Sequence, residues 1–163
     1  WGSLLLMIGL SVFLMVPVAA MFSGLFLEDV AHAVEARHYP GLPDLPRQPL
    51  IDSAIGAVNF FGVLVAVNLL ALLLYGVVGP LAPLMFWAVN GYLLGREYFE
   101  MAATRRIGRT GAKALRKANA GRIWLAGCLM AAPLSLPFIN LVIPVLGAAT
   151  FTHLFHMLSG RMR

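Results

Sequence analysis

Residues 69–100 read LLALLLYGVVGPLAPLMFWAVNGYLLGREYFE, and Gly79-Pro80-Leu81-Ala82-Pro83 near the centre decides how the chain is laid out. Ahead of it, Leu50 to Val78 is mainly apolar after a polar turn at Asp52 and Ser53. Behind it, Leu84 to Gly95 is apolar for only about a dozen residues before Arg96 and Glu97. Twelve helical residues cover about 18 Å, whereas a bilayer's hydrocarbon core is about 30 Å thick. The second arm spans only if it begins before Pro83 and continues past Arg96. The economical reading is a hairpin with its Gly-Pro tip inside a bilayer and both ends on one side.

The composition agrees with a bilayer. Of the 163 residues, 60% are hydrophobic and 12% charged, where an ordinary soluble domain has about 45–50% and about 25%. Disorder is excluded, because a disordered chain lacks apolar surface to bury. A soluble domain of this size needs far more polar surface. An integral membrane protein remains. One cysteine, Cys128, excludes an internal disulfide framework and a cysteine-based zinc site. The net charge of +5 reads as the positive-inside bias of membrane loops and not as affinity for nucleic acid. The first residue is Trp and not Met, so an upstream element is expected, and residues 1–27 lack the layout of a signal peptide.

Five stretches make one membrane domain. Residues 1–39 are a transmembrane helix with a cytoplasmic extension. Trp1 to Leu27 is uncharged and long enough to cross, with Pro17 a tolerated kink. Glu28 to Tyr39 continues as an amphipathic helix. Residues 40–49 hold Pro40, Pro43, Pro46 and Pro49, an extended aqueous linker. Residues 50–98 form the first hairpin. Residues 99–122 form a basic helix, and residues 96–122 carry eight of the twelve Lys and Arg. Arg105, Arg109, Lys113 and Arg116 follow helical spacing on one side, with Ile107, Leu115 and Ala118 largely away from them. Residues 123–160 form a second hairpin whose turn contains Pro137, Asn140 and Pro144. One crossing and two same-side hairpins place residues 28–49, residues 96–122 and the C-terminus together. The Lys/Arg bias makes that side the cytoplasm. The fold class is therefore all-α integral membrane, with transmembrane helices and two half-penetrating helical hairpins.

Broken backbone at membrane depth has to be buried in protein or line a water-filled cavity. A helix restarting after Pro80 or Pro144 presents free N–H groups and the positive end of its dipole, which hold an anion without a full charge. Transporters use interrupted helices in this way. Other signals are weaker. His153 and His156 have metal-ligand spacing without a convincing carboxylate partner, which favours capping or interfacial roles; no metal and no cofactor are expected. Glu97 and Glu100 make a possible acid–base pair, but Arg96 lies four residues before Glu100 and neutralises it. Asn59, Asn68 and Asn90 are placed to bond between helices. Ser135 has no obvious base. Nothing positive supports an enzyme.

Three motifs carry a resemblance to a known family. Leu136-Pro137-Phe138-Ile139-Asn140-Leu141, with Pro144 and Gly147-Ala148-Ala149, resembles the Ile-Pro-Leu-Leu-Asn-Leu…Pro…Gly-Ala motif of the CysZ sulfate permeases, within the etoposide-induced protein 2.4 family. Glu35-Ala36-Arg37 is similar to that family's Leu-Glu-Ala-Arg stretch at the cytoplasmic end of a spanning helix. Asn90-Gly91-Tyr92-Leu93-Leu94-Gly95-Arg96-Glu97-Tyr98-Phe99 is similar to its bacterial branch. The resemblance implies a CysZ-like fold of two transmembrane helices, two half-penetrating hairpins and a cytoplasmic helix between them. It further implies a multi-pass protein of the bacterial inner membrane, oligomeric, admitting sulfate for cysteine biosynthesis without ATP or an ion motive force. It also places another transmembrane helix, with a Gly-Leu-Arg-Arg type motif, before Trp1.

The expectation is a channel-like, uncoupled sulfate permease. Glu35, Arg37 and Asn140 are the anion-pathway residues, and the partners are sulfate or a related oxyanion, membrane lipids and copies of the chain itself. The alternative is a non-transporting membrane scaffold or lipid-interacting protein of the same family, working through the basic face of residues 105–117.

Overall fold

A computed structural model describes residues 2–45, 49–135 and 142–160. Every regular element among them is helical: α1 (Gly2–His38), α2 (Leu50–Val78), α3 (Ala82–Ala118), α4 (Ala120–Ala131) and α5 (Ile143–Leu158), with 3₁₀ turns at Gly79–Leu81 and Ala132–Ser135. The turn stretch of residues 136–141, Asn140 included, lies outside the described residues, as do Trp1, residues 46–48 and residues 161–163.

Helix α1 runs unbroken through Pro17 and carries the amphipathic extension to His38. Helix α2 starts after Pro49, whose extended φ and ψ of −55° and 137° lead into the first turn. It stops at Gly79, where φ of 52° takes the chain into a region only glycine enters freely. Pro80, in the first turn of the 3₁₀ segment, and Pro83, in the first turn of α3, have no N–H to leave unpaired, so the chain restarts immediately as helix. The helix therefore breaks and restarts at residues 79–83.

The return arm differs from the short arm that the apolar pattern suggests. Helix α3 passes through Arg96 and the 98/99 boundary without a break and stays helical to its kink at Gly108. There φ is 68° and ψ is 172°, a conformation essentially reserved for glycine. The consequence is a fold-back. Sixteen residues of straight helix would separate Glu100 and Arg116 by about 24 Å, yet Arg116 Nε lies 2.8 Å from Glu100 Oε1.

Helix α4 continues the return beside the first half of α3, at glycine distance. A Cβ on Gly95 would lie 2.6 Å from the Ile123 carbonyl oxygen, and one on Gly127 would lie 2.8 Å from the Gly95 amide nitrogen. Gly91 packs on Cys128 in the same way. Trp87 Nε1 donates to the Cys128 carbonyl at 2.8 Å and Trp124 Nε1 to the Ala88 carbonyl at 3.0 Å, locking the pair from both flanks. The core lies among α3, α4 and α5: Phe99, Phe151 and Phe155 are fully buried, with Ala102, Ala103, Ile123, Met130, Ile143 and Ala148 around them.

Away from this core the surface is apolar. Leu5, Leu6, Met15, Leu72 and Leu73 are each about 70% exposed. Residues Ile51–Gly76 of α2 form one helix long and apolar enough to cross a membrane, with mean hydropathy 2.4. An outward apolar surface of this extent suits a hydrocarbon solvent and not water. Tyr92 and Trp124 are half-exposed near the change to charged sequence, where amphipathic rings favour an interface.

Gly127→Ala should lower thermal stability in detergent by roughly 1–3 kcal/mol through overpacking. Gly9→Ala, where a Cβ meets nothing within 4 Å, should be neutral or slightly stabilising. Melts followed by circular dichroism check both.

Candidate functional site

The extension of α1 buries one stripe. Leu27, Ala31 and Glu35 recur at four-residue spacing and are 7%, 0% and 3% exposed, as one face of a helix requires. Glu35 therefore enters the interior as a carboxylate, and three cationic or basic side chains from distant sequence meet it. Arg106 approaches as a fork, with Nε 3.1 Å from Oε1 and Nη2 2.8 Å from Oε2. His156 Nε2–H donates to Oε1 at 2.9 Å. Arg105 Nη1 is 3.5 Å from Oε2, and its Nε is 3.5 Å from Glu28 Oε1. Arg106 Nη1 also donates to the Pro43 carbonyl at 2.8 Å, tying down the linker.

An aromatic layer closes the cluster. The Tyr39 ring stacks on His156 at 4.1 Å between centroids, and its hydroxyl lies 2.8 Å from His153 Nδ1. His38 meets the His153 ring edge-on at 5.1 Å. Burial by itself raises the Glu35 carboxyl. The hydrogen bonds from Arg106 and His156 and the charges of Arg105 and Arg106 outweigh it, so Glu35 titrates below its usual range. Burial, with the Glu35 charge beside it, pushes the Tyr39 hydroxyl up.

Next to this cluster, α1, α2 and α3 enclose a cavity of about 130 Å³. Glu28, Asn59, Arg96, Glu97, Arg105 and Arg109 are among its walls. Most of its cations are engaged. Arg109 Nη2 pairs with Asp52 Oδ1 at 3.1 Å and donates to the Asp52 carbonyl. Arg96 Nε lies 3.5 Å from Glu100 Oε1, the oxygen that Arg116 also holds. Arg105 differs. Its side chain is 5% exposed, yet Nε and Nη1 make no hydrogen bond among the described residues. Those two nitrogens face Glu28 and Glu35 at ion-pair distance, so Arg105 is held by charge and not by hydrogen bonds.

The residues that the sequence nominates separate here. Glu35 lies at the centre of the buried cluster. Arg37 follows it by two residues, about 200° around the helix, and is exposed. Asn140 lies outside the described residues. His153 and His156, expected in capping or interfacial roles, turn inward, with His156 fully buried against Glu35. Among the described residues no three His, Cys, Asp or Glu side chains gather as a metal would require. Asn68 and Asn90 bond to the Leu64 and Phe86 carbonyls of their own helices, not across helices; Asn59 lines the cavity. The basic face of residues 105–117 is largely not a surface: Arg105 and Arg106 are turned into the Glu35 cluster and Arg116 onto Glu100, while Lys113 and Lys117 are exposed. Sequence patterning does not single out Arg106 or Tyr39. Gly108 is a signal for Arg116 alone, because a glycine inside a basic helix permits the bend that returns Arg116 to Glu100.

An all-helical chain with an apolar outer surface and its charges drawn into one end is a helical membrane protein. The chain belongs to the family described as Sulfate transporter CysZ/Etoposide-induced protein 2.4, whose model matches residues 1–144. No curated protein and no solved structure matches it.

Glu35→Gln tests the cluster. The folded carboxyl titrates below the ordinary 4.5, so the unfolded chain binds more protons in that window. The stability from Glu35 is complete above about pH 4.5 and is lost as pH falls through the folded value. Glu35→Gln should flatten the acid dependence of the melting temperature. At neutral pH it should cost about 3–5 kcal/mol, because Arg106 is left buried without its counter-charge. Melts in detergent from about pH 7 to about pH 3 measure both effects.

Proposed function

We propose that the protein is a channel-like, uncoupled permease that carries sulfate across the bacterial inner membrane for cysteine biosynthesis, working as a homo-oligomer. Family membership supports transport of this kind. The observation that carries the reading for this chain is Arg105, at the wall of a cavity and held by Glu28 and Glu35 at 3.5 Å with no hydrogen bond at Nε or Nη1. A doubly charged tetrahedral oxyanion is the ligand such a guanidinium accepts best.

The roles then divide. Arg105 is the oxyanion's charged contact, and Glu35 and Glu28 hold it in place when no anion is bound. Arg37, exposed one half-turn beyond Glu35, forms the solvent-facing rim. Asn140, three residues before α5 in sequence, is assigned a polar contact with the anion. Each contact is weak, which suits conduction, since an ion held too tightly does not leave. The flow is driven by the sulfate gradient alone, and the chain catalyses no reaction. The scaffold alternative has less support, because Arg109 and Arg116 of its working surface are engaged with Asp52 and Glu100.

Labelled sulfate uptake by the full-length protein in proteoliposomes, with empty vesicles as control, decides between them. Arg105→Gln should cut flux by about tenfold or more, the loss of one charged hydrogen-bonding contact. Arg37→Ala should lower flux by a few-fold, with assembly intact. Unchanged flux in Arg105→Gln would remove the cavity from the path. No flux from folded, inserted wild-type protein would make the scaffold the better reading.

A further inference from the structure

Helix α2 carries a pattern that its packing within the chain does not use. Residues 60–78 read FFGVLVAVNLLALLLYGVV, and the polar side chains among them are Asn68 and Tyr75. Seven residues bring these two to within about 20° of each other on the helix. Val65 and Leu72 lie on the same side, so Val65, Asn68, Leu72 and Tyr75 recur at alternating three- and four-residue spacing. That is the repeat of a seam between two helices. All four side chains are exposed, Leu72 to 68%. The half-buried Leu64, Val67 and Ala71 form the neighbouring stripe.

Asn68 lies at bilayer depth. The apolar run Ile51–Gly76 has 26 residues, about 39 Å of helix, against a hydrocarbon core of about 30 Å. Asn68 is 17 residues from Ile51 and 8 from Gly76, so a core of that thickness placed anywhere along the run contains it. One N–H of its amide donates to the Leu64 carbonyl at 2.8 Å. The second N–H and the amide oxygen have no partner among the described residues. Lipid tails offer neither a donor nor an acceptor, and an unpaired amide is costly among them. A carboxamide is donor and acceptor at once. Two facing copies of Asn68 therefore complete each other, each oxygen accepting the other's free N–H.

We propose that the Val65, Asn68, Leu72 and Tyr75 face of α2 is a contact between two copies of this chain, packed as a parallel seam in which the Asn68 amides bond to each other. Copies inserted the same way are related by a twofold axis along the membrane normal. That symmetry sets the two α2 helices parallel and each seam residue opposite its own counterpart. A single asparagine in an apolar seam fixes register and the number of strands. The contact rests on the homo-oligomer of the proposed function and not on the ion carried.

The test is oxidative cross-linking of the full-length protein in proteoliposomes, with wild type, whose Cys128 is buried, as background. Leu72→Cys, about 40° around the helix from Asn68, should form a disulfide between chains. Leu73→Cys, 77% exposed but about 140° from Asn68, should not. Association of wild-type copies, followed by energy transfer between labelled chains, should weaken about threefold to tenfold in Asn68→Leu, the worth of one side-chain hydrogen bond between membrane helices. Helical content should be unchanged, because the substituted side chain is exposed. Wild-type copies that associate while Leu72→Cys stays uncrosslinked would overturn this face and leave the homo-oligomer standing. Wild-type copies that do not associate would overturn both. Equal cross-linking in Leu72→Cys and Leu73→Cys, or full association in Asn68→Leu, also overturns the proposal.

Discussion

Removing a carboxylate from water costs several kcal/mol unless cations and hydrogen bonds replace the lost hydration, and Glu35 places that requirement on four parts of the chain at once. Its α1 stripe is otherwise Leu27 and Ala31, so nothing on α1 itself satisfies it. Arg106 from α3, His156 from α5 and Arg105 beside them do. For Arg106 to reach Glu35 while also holding the Pro43 carbonyl, α1, α3 and the linker have to converge at one end. For His156 to reach it, α5 has to run its full length back to that end. The segments that sequence places on one side of a membrane, residues 28–49 and 96–122, thus meet around one ionised oxygen pair.

The second constraint is steric. Gly91, Gly95 and Gly127 let the α3 and α4 backbones touch, and the close approach brings Ile123 and Met130 into the aromatic core with Phe99 and Phe151. It also sets the height at which charge gives way to apolar surface. Arg96 sits at that height, at the wall of the cavity. Contact between helices in a membrane draws little from the hydrophobic effect and depends on such close fit.

Much of this is legible in the sequence and some is not, for reasons that differ. Helical class, the helix break at Gly79-Pro80 and the Arg96–Glu100 pairing follow from local chemistry: apolar run length, a glycine with positive φ, prolines without N–H groups, and i,i+4 spacing. Glu35 is reached through the Glu35-Ala36-Arg37 motif, but its partners are 71 and 121 positions away, and no periodicity reports such a distance. The direction of the basic helix is misleading in the sequence because helical spacing assumes a straight helix. Gly108 bends α3, and Arg116, beyond the bend, is folded back against Glu100. The i,i+4 glycines at 91 and 95 are a readable sign of close packing, though composition alone carries no partner for them. The second turn stays a matter of motif, since Asn140 lies outside the described residues.

The two neighbouring arginines of α3 have different mechanical characters. Arg106 is fixed: it makes a two-point bond to Glu35 and a third bond to Pro43. Arg105 is held by charge at 3.5 Å from two carboxylates, with no hydrogen bond at Nε or Nη1. If one arginine served both purposes, binding an anion would strip Glu35 of its counter-charge and the anion would have to offset a buried carboxylate. With two, Arg106 and His156 hold Glu35 independently of Arg105.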